Sequence, residues 1–308
     1  MEATSSAELF TGTPGSSVLG AFNPSTASYQ YFFVTLGLVQ STVSVLINPM
    51  TIIALFKFRV INRSRAYLFI ANQSFSDFIL ACCHILRFVG QILRWHNRAL
   101  KATIVFSWIA SSSGLVVFTA SVATSLAMGV DRAIATWKPM SYKQIMTYRS
   151  TVMAIVIIWI VTIAFNIPPI LYQYVDLIRS GQFHYVINPT EVFPAYYSTY
   201  FSGPLMTISV IGNIVLYAFV WGGYMKAISK ADVSNFERRV HKTTRMCIIT
   251  VSLLIVGMIP LLILGAIPPQ NLDPDIYEIY QLMYDVTLMT SIIPLYLNNV
   301  MYACLQED

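Results

Sequence analysis

The stretch ATIVFSWIASSSGLVVFTASVATSLAMGVDR (Ala102–Arg132) carries no Asp, Glu, Lys or Arg before an acid and a base stand side by side at its end. An α-helix rises 1.5 Å per residue, so about 20 apolar residues cross the roughly 30 Å hydrocarbon core of a bilayer. Residues 102–130 are long enough to do so, and Asp131 and Arg132 come where lipid gives way to headgroups and water. A strand in the same place would leave its backbone groups unpaired in lipid, so the segment is read as a transmembrane helix.

The same pattern recurs on both sides. Residues 30–56, 150–175, 192–225 and 246–272 carry no formal charge, 66–86 carry only Asp77, and 279–306 only Asp285. This makes seven spans, and the fold class expected is an all-α membrane protein, a seven-transmembrane-helix bundle. The helices are placed at about 30–57, 66–93, 102–136, 150–173, 195–226, 241–267 and 277–304, within one domain of residues 29–306. Residues 1–28, rich in Ser, Thr, Gly and Pro, read as a flexible extracellular tail. The composition agrees: 56% of the 308 residues are hydrophobic and 11% charged, against about 25% charged in soluble domains.

Charge in the gaps sets the orientation. Of 19 Lys and Arg, 14 fall in the gaps after the first, third and fifth spans and around the second intracellular turn, from Lys57 to Arg245; five (Arg87, Arg94, Arg98, Lys101 and Arg179) fall on the other side. Basic residues stay cytoplasmic, which puts the N-terminus outside and the C-terminus inside. The net charge of +5 is dispersed through these short gaps, which excludes a nucleic-acid-binding face. The four cysteines, Cys82, Cys83, Cys247 and Cys304, lie in or at the end of apolar runs, so no disulfide is expected. The four histidines are scattered without metal or nucleophile spacing, which speaks against an enzyme.

Three charged positions stand out in the spans. Asp77 is a carboxylate in mid-membrane, which costs about 2.5–3.5 kcal/mol on insertion scales unless it is partnered or used. Ser121, Asn298 and Asn48 are the polar residues expected around it, and a sodium ion acting as an allosteric modulator is the one cofactor such a site would take. Arg87 lies ten residues beyond Asp77, towards the outside; it either snorkels to the interface, contacts an anionic ligand group or pairs with Asp285. Asp131-Arg132 marks the cytoplasmic boundary.

The sequence around and beyond that pair is more specific. Met128, Asp131, Arg132, Ala135, Pro139, Tyr142, Ile145 and Met146 fit the pattern MAYDRYVAICxPLxYxxIM, and the segment resembles the end of helix three and the second intracellular loop of rhodopsin-like G protein-coupled receptors, most nearly the olfactory branch. YLFIANQSFSD (Tyr67–Asp77) is similar to the second helix of that family, and Asn48, Trp159 with Pro168, Phe201 with Pro204, Pro260 and LNNVMYA (Leu297–Ala303) fit its other helices. The likeness spans roughly residues 30 to 305. The departures are Ser107 where helix three carries the disulfide cysteine, Ala133 for the Tyr after Arg132, Met258 for the helix-six Trp, Asn299 for the helix-seven Pro, Gly212 at the helix-five Tyr, and a chain that stops too soon after Tyr302 for an eighth helix. Pro294 is placed to supply the helix-seven kink instead, and without the disulfide the second extracellular loop is expected to be more mobile than usual.

The resemblance implies a multi-pass plasma-membrane receptor that couples an extracellular ligand to a heterotrimeric G protein, chemosensory and odorant-like; a peptide or lipid ligand is the alternative, and a transporter or channel the alternative of another class. The activation switch it implies comprises Asp131, Arg132, Pro139, Tyr142, Pro260, Asn298 and Tyr302. The implied ligand pocket is Arg87, Leu115, Phe118, Thr119, Phe201, Met258, Tyr284 and Asp285. Gly114, at the position where amine receptors carry Asp, argues against a cationic amine, and no lysine follows Lys242 to hold retinal as a Schiff base. With Val240 at the base of helix six and the nearest acid at Glu237, Arg132 is expected to be restrained mainly by Asp131. As an exposed pair they contribute about 0–1 kcal/mol, which predicts measurable basal signalling.

Overall fold

The computed structural model describes residues 27–59, 61, 64–96, 100–181, 192–228, 235–265, 267 and 273–306. Its elements are α1 (Ala27–Lys57), α2 (Ala66–Trp95), α3 (Leu100–Trp137), α4 (Pro139–Ile145), α5 (Tyr148–Arg179), α6 (Ala195–Tyr197), a π-turn over Ser198–Ser202, α7 (Gly203–Ile228), α8 (Asn235–Gly265) and α9 (Pro274–Gln306). Among the described residues there is no strand. Most of the tail expected over residues 1–28 lies outside the described residues.

Among the described residues, five segments are long and apolar enough to cross a bilayer unaided: Tyr29–Lys57, Ala66–Arg94, Ala102–Trp137, Tyr148–Arg179 and Ala195–Lys226. α8 and α9 add the shorter apolar stretches Cys247–Pro260 and Leu282–Leu297. Large apolar side chains that a soluble fold would bury point outward, among them Ile160, Ile208 and Val256, each more than 60% exposed. Lipid is their solvent.

α1, α2 and α3 pack in sequence, α3 also meets α5, α7 and α8, and α9 closes the ring against α1, α2 and α8. α3 holds the centre because its inward faces are small. Ala110, Ser111, Ala120, Ser121, Thr124 and Ser125 are all buried, which lets neighbouring backbones come close. Further in, the ring of Tyr217 and the side chain of Leu216 lie where a Cβ on Gly129 would be, so only glycine admits them there. A Cβ on Gly257 of α8 would come within 3.3–3.5 Å of Ser291, Thr290 and Pro294 of α9, so the two helices pass closely there. α9 remains one helix through Pro294.

α5 begins at a capping box, in which Ser150 N–H donates to Thr147 Oγ1 at 3.1 Å and Thr147 N–H donates to Ser150 Oγ at 3.0 Å. It runs six residues beyond the end expected at 173, through Pro168 and Pro169. A proline removes the N–H that would reach the carbonyl four residues back. Pro169 thus frees the Phe165 carbonyl, and the Tyr197 hydroxyl donates to it at 2.6 Å. The π-turn follows this anchor directly.

The missing disulfide has an apolar stand-in. Val192 and Phe193, just before α6, are 0% and 2% exposed and pack with Ile104 and Trp108 of α3 and Ile170 and Leu177 of α5. Ser107 turns back to donate to the Ile104 carbonyl at 2.7 Å. The end of the loop expected to be mobile is therefore buried; its residues 182–191 lie outside the described residues. Cys82, Cys83 and Cys247 carry free thiols, and the Cys304 side chain lies outside the described residues.

Candidate functional site: the polar core and the cytoplasmic lock

Among the described residues, five polar clusters cross between the helices. Nearest the cytoplasm, Arg132 Nε donates to Asp131 Oδ2 at 2.9 Å, and its Nη2 donates to the same oxygen and to the Tyr142 hydroxyl at 3.1 Å. The Tyr142 hydroxyl donates to Asp131 Oδ1 at 3.0 Å, and Arg132 Nη2 reaches Ser64 Oγ at 3.5 Å. Tyr142 is positioned by α4, the short helix that Pro139 starts at its N-terminal end, where proline's fixed φ and missing N–H cost nothing. Asp131 is 0% exposed, Arg132 1% and Tyr142 6%.

This corrects the expectation of an exposed pair. α4 folds back over the end of α3 and takes both charges out of water. A buried pair must be hydrogen-bonded on several sides to offset its desolvation, and Tyr142 and Ser64 supply those bonds. Burial pushes the Tyr142 phenol up to about 12, with the neighbouring Arg132 pulling the other way; it stays protonated and remains a donor at physiological pH. Glu237 and Val240 have side chains outside the described residues.

In mid-membrane, Asp77 was expected to meet Ser121, Asn298 and Asn48. Gln73 stands between Asp77 and Ser121. Its Nε2 donates to Asp77 Oδ1 at 3.0 Å and also to Ser121 Oγ. Asn48 belongs to another cluster: its Nδ2 donates to Ser44 Oγ at 2.8 Å and to the Leu295 carbonyl at 3.0 Å. Asn48 Oδ1 accepts from Asn299 Nδ2 at 2.7 Å, and Asn299 Oδ1 accepts from Ser74 Oγ at 3.1 Å. Asn299, the residue in the proline position, is buried and ties α9 to α1 and α2. The side chains of Asn298 and Tyr302 lie outside the described residues.

Two further contacts escaped sequence reasoning. Asn72 Nδ2 donates to Thr124 Oγ1 at 2.8 Å while its Oδ1 accepts from Trp159 Nε1 at 2.9 Å, which joins α2, α3 and α5. On α7 the buried tyrosine is Tyr217, not the position of Gly212, and its hydroxyl donates to the Ser125 carbonyl at 3.3 Å. Ser125 Oγ donates to Asn213 Oδ1 at 2.9 Å beside it.

The expected pocket residues separate. Phe118 packs on Val122, Val210 and Met258, an apolar floor between α3, α7 and α8. Leu115 borders the Val192–Phe193 cluster. The Thr119 hydroxyl is consumed within its own helix, donating to the Leu115 carbonyl at 2.8 Å. Tyr284 is buried with Leu264 and Tyr280, and the Arg87 guanidinium lies over its ring, 6.0 Å from the centroid. Asp285, the next residue, is half-buried. Phe201 does not join them. It is 40% exposed and stacks at 5.5 Å on Phe165, on the lipid-facing side between α5 and α7; Pro204, which the motif aligns, fixes sequence position and not the face. Pro260 sits half-buried within α8, two residues beyond Met258.

The pattern of the 7 transmembrane receptor (rhodopsin family) matches residues 47–302. The chain belongs to that family. Among curated relatives, cannabinoid receptor 1 of Xenopus laevis is 24% identical over 196 residues, 64% of this chain and 39% of that protein. Cannabinoid receptor 2 of Mus musculus is 23% identical over 211 residues, 68% of this chain and 56% of that protein. The GQ-coupled rhodopsin of Mizuhopecten yessoensis is 24% identical over 151 residues, 48% of this chain and 29% of that protein. The matches cover from under a third to just over half of each relative's own length. This rhodopsin-family receptor is a multi-pass protein of the plasma membrane.

Proposed function

We propose that this receptor couples an apolar, lipid-like extracellular ligand to a heterotrimeric G protein. The carrying observation is the contrast within α3. The helix presents Phe118 to an apolar floor with Val210 and Met258 and Leu115 to the apolar Val192–Phe193 cluster, and the one hydroxyl among the expected α3 pocket residues is already bonded to its own helix. Such a surface recognises shape and apolar area, with Arg87 and Tyr284 as the polar end. The inner half ends in the closed Asp131–Arg132–Tyr142 lock, whose guanidinium is a planar donor fork suited to a partner's carboxylates or carbonyls once released. A ligand shifts this equilibrium only by its differential affinity for the two arrangements.

The odorant-like reading rests most on the motif around Asp131–Met146, which lies at the cytoplasmic end and includes none of the expected pocket residues. The cannabinoid receptors among the relatives support a lipid ligand instead. The absence of lysine after Lys242 separates this chain from a retinal-binding role despite its likeness to a rhodopsin.

The test is a two-panel screen in membranes carrying the receptor and a promiscuous G protein. Long-chain acyl amides and monoacylglycerols form one panel, and volatile alcohols, esters and aldehydes the other. Nucleotide exchange driven by the acyl panel and weakened by Phe118→Ala supports the reading. Exchange driven only by the volatile panel returns the odorant assignment, and solute flux into liposomes without exchange moves the chain to the transporter class.

A further inference from the structure

Asp77 and Ser121 are 1% and 4% exposed, on facing sides of α2 and α3. A carboxylate and a hydroxyl so placed are the coordination one would assign to a small cation in a membrane. Gln73 lies four residues before Asp77, on the same face of α2, and is 2% exposed. Its Nε2 is 3.0 Å from Asp77 Oδ1 and within hydrogen-bonding distance of Ser121 Oγ. A primary amide carries two N–H groups, and these two acceptors use both. Chemistry fixes this orientation, because turning the amide over would set its carbonyl oxygen against the carboxylate. Among the described residues Gln73 Oε1 accepts no hydrogen bond. An unpaired buried carbonyl is costly, so the two bonds at nitrogen are what hold the side chain.

We infer that the Gln73 amide is a tethered substitute for a cation: it fills the space between Asp77 and Ser121, and the receptor's resting arrangement is therefore insensitive to sodium. Between Asp77 Oδ1 and Ser121 Oγ the residues present do not fit an ion, since both oxygens face the donor nitrogen of Gln73. A free ion occupies such a site in proportion to its concentration and stabilises the state that binds it. A covalently attached amide does not leave, so the α2–α3 contact holds at any salt composition.

The experiment compares thermal unfolding of the purified full chain in sodium chloride and in choline chloride at equal ionic strength. Unfolding is read without ligand or G protein, so a failure of the lipid-receptor reading leaves this test intact. The parent should unfold at the same temperature in both salts, within about 1 °C. Gln73→Leu should show a sodium-selective rise of about 3 °C, and Asp77→Asn added to it should remove that rise. Gln73→Met keeps the side-chain length and loses both donors, and serves if Gln73→Leu does not fold. A sodium-selective rise in the parent that Asp77→Asn abolishes overturns the inference. So does the absence of any sodium effect in both Gln73 variants, because no cation position would then lie beneath the amide.

Discussion

At the outer end of α3, Ile104 and Trp108 meet Val192, Phe193, Ile170 and Leu177 through apolar surface. About seven turns further along the same helix, the buried Asp131 and Arg132 meet the buried Tyr142 and the half-buried Ser64 through hydrogen bonds. The apolar contact is non-directional and scales with area, so it deforms gradually. The polar one has discrete partners at set distances, and an unpaired buried charge is expensive, so it is either closed or remade elsewhere. On the function proposed above, the end that would accommodate a ligand is built from the adaptable kind of contact, and the end that would report a state from the two-valued kind.

The comparison breaks most sharply at Asp131. Asp131→Ala leaves the Arg132 guanidinium buried without its counter-charge, which costs about 3–5 kcal/mol for a buried pair. The unfolding midpoint should fall on the order of 10 °C. Asp131→Asn, which keeps acceptors, should cost less and raise basal nucleotide exchange, while Arg132→Ala should abolish exchange. The buried lock also reverses the basal activity expected of an exposed pair: the parent should signal weakly without ligand. A midpoint for Asp131→Ala within about 2 °C of the parent would show that the pair is solvated.

At the apolar end, shape should matter more than identity. Phe193→Ala empties a fully buried site and should cost about 3 kcal/mol, seen as a lower midpoint and faster proteolysis of the loop before α6. Phe193→Leu keeps most of the volume and should cost under about 1.5 kcal/mol. The equally conservative Asp131→Glu should not be tolerated in the lock. Equal losses for Phe193→Leu and Phe193→Ala would mean that this end too depends on specific geometry.

Much of the fold was legible because lipid imposes it: a run without charge such as 102–130 can be nothing but a helix in a bilayer, whatever it packs against. α4 was not, because seven residues from Pro139 onward carry no periodic signal and their helix is stabilised by what it covers. The same is true of the lock. Asp131, Arg132 and Tyr142 could be picked out by spacing, but their burial depends on α4 folding back, and local sequence among Lys138 and Lys143 suggested water. Gln73 was missed although the signal was present: an amide one turn before a membrane carboxylate, at i and i+4, shares its face. Asn299 was missed because motif alignment counts positions, whereas which polar groups of α9 reach α1 and α2 is decided by packing between helices far apart in sequence.

Tyr142→Phe gives the smallest of these effects and the cleanest reading of the lock. The substitution keeps the ring that lies 5.8 Å from the Arg132 guanidinium and removes only the hydroxyl. That hydroxyl gives Asp131 Oδ1 a donor at 3.0 Å and Arg132 an acceptor at 3.1 Å, and a hydrogen bond to a charged group contributes about 1.5 kcal/mol. If the whole of that difference falls on the resting arrangement, the active population rises about tenfold, and basal exchange with it. Expression should be unchanged, since no charge is left without its counter-charge. Alkaline pH provides an independent measure. Burial pushes the Tyr142 phenol up to about 12, above the value of about 10 it has when unfolded. A group whose folded pKa is raised stabilises the fold fully below the unfolded value and loses that contribution as pH climbs through the folded one. The lock should thus be constant from about pH 6 to about 9, and Tyr142→Phe should make the loss of stability between about pH 10 and 12 shallower than in the parent. If basal exchange and alkaline unfolding are both unchanged in Tyr142→Phe, α4 covers the pair without bonding to it, and the resting state is held by Asp131 alone.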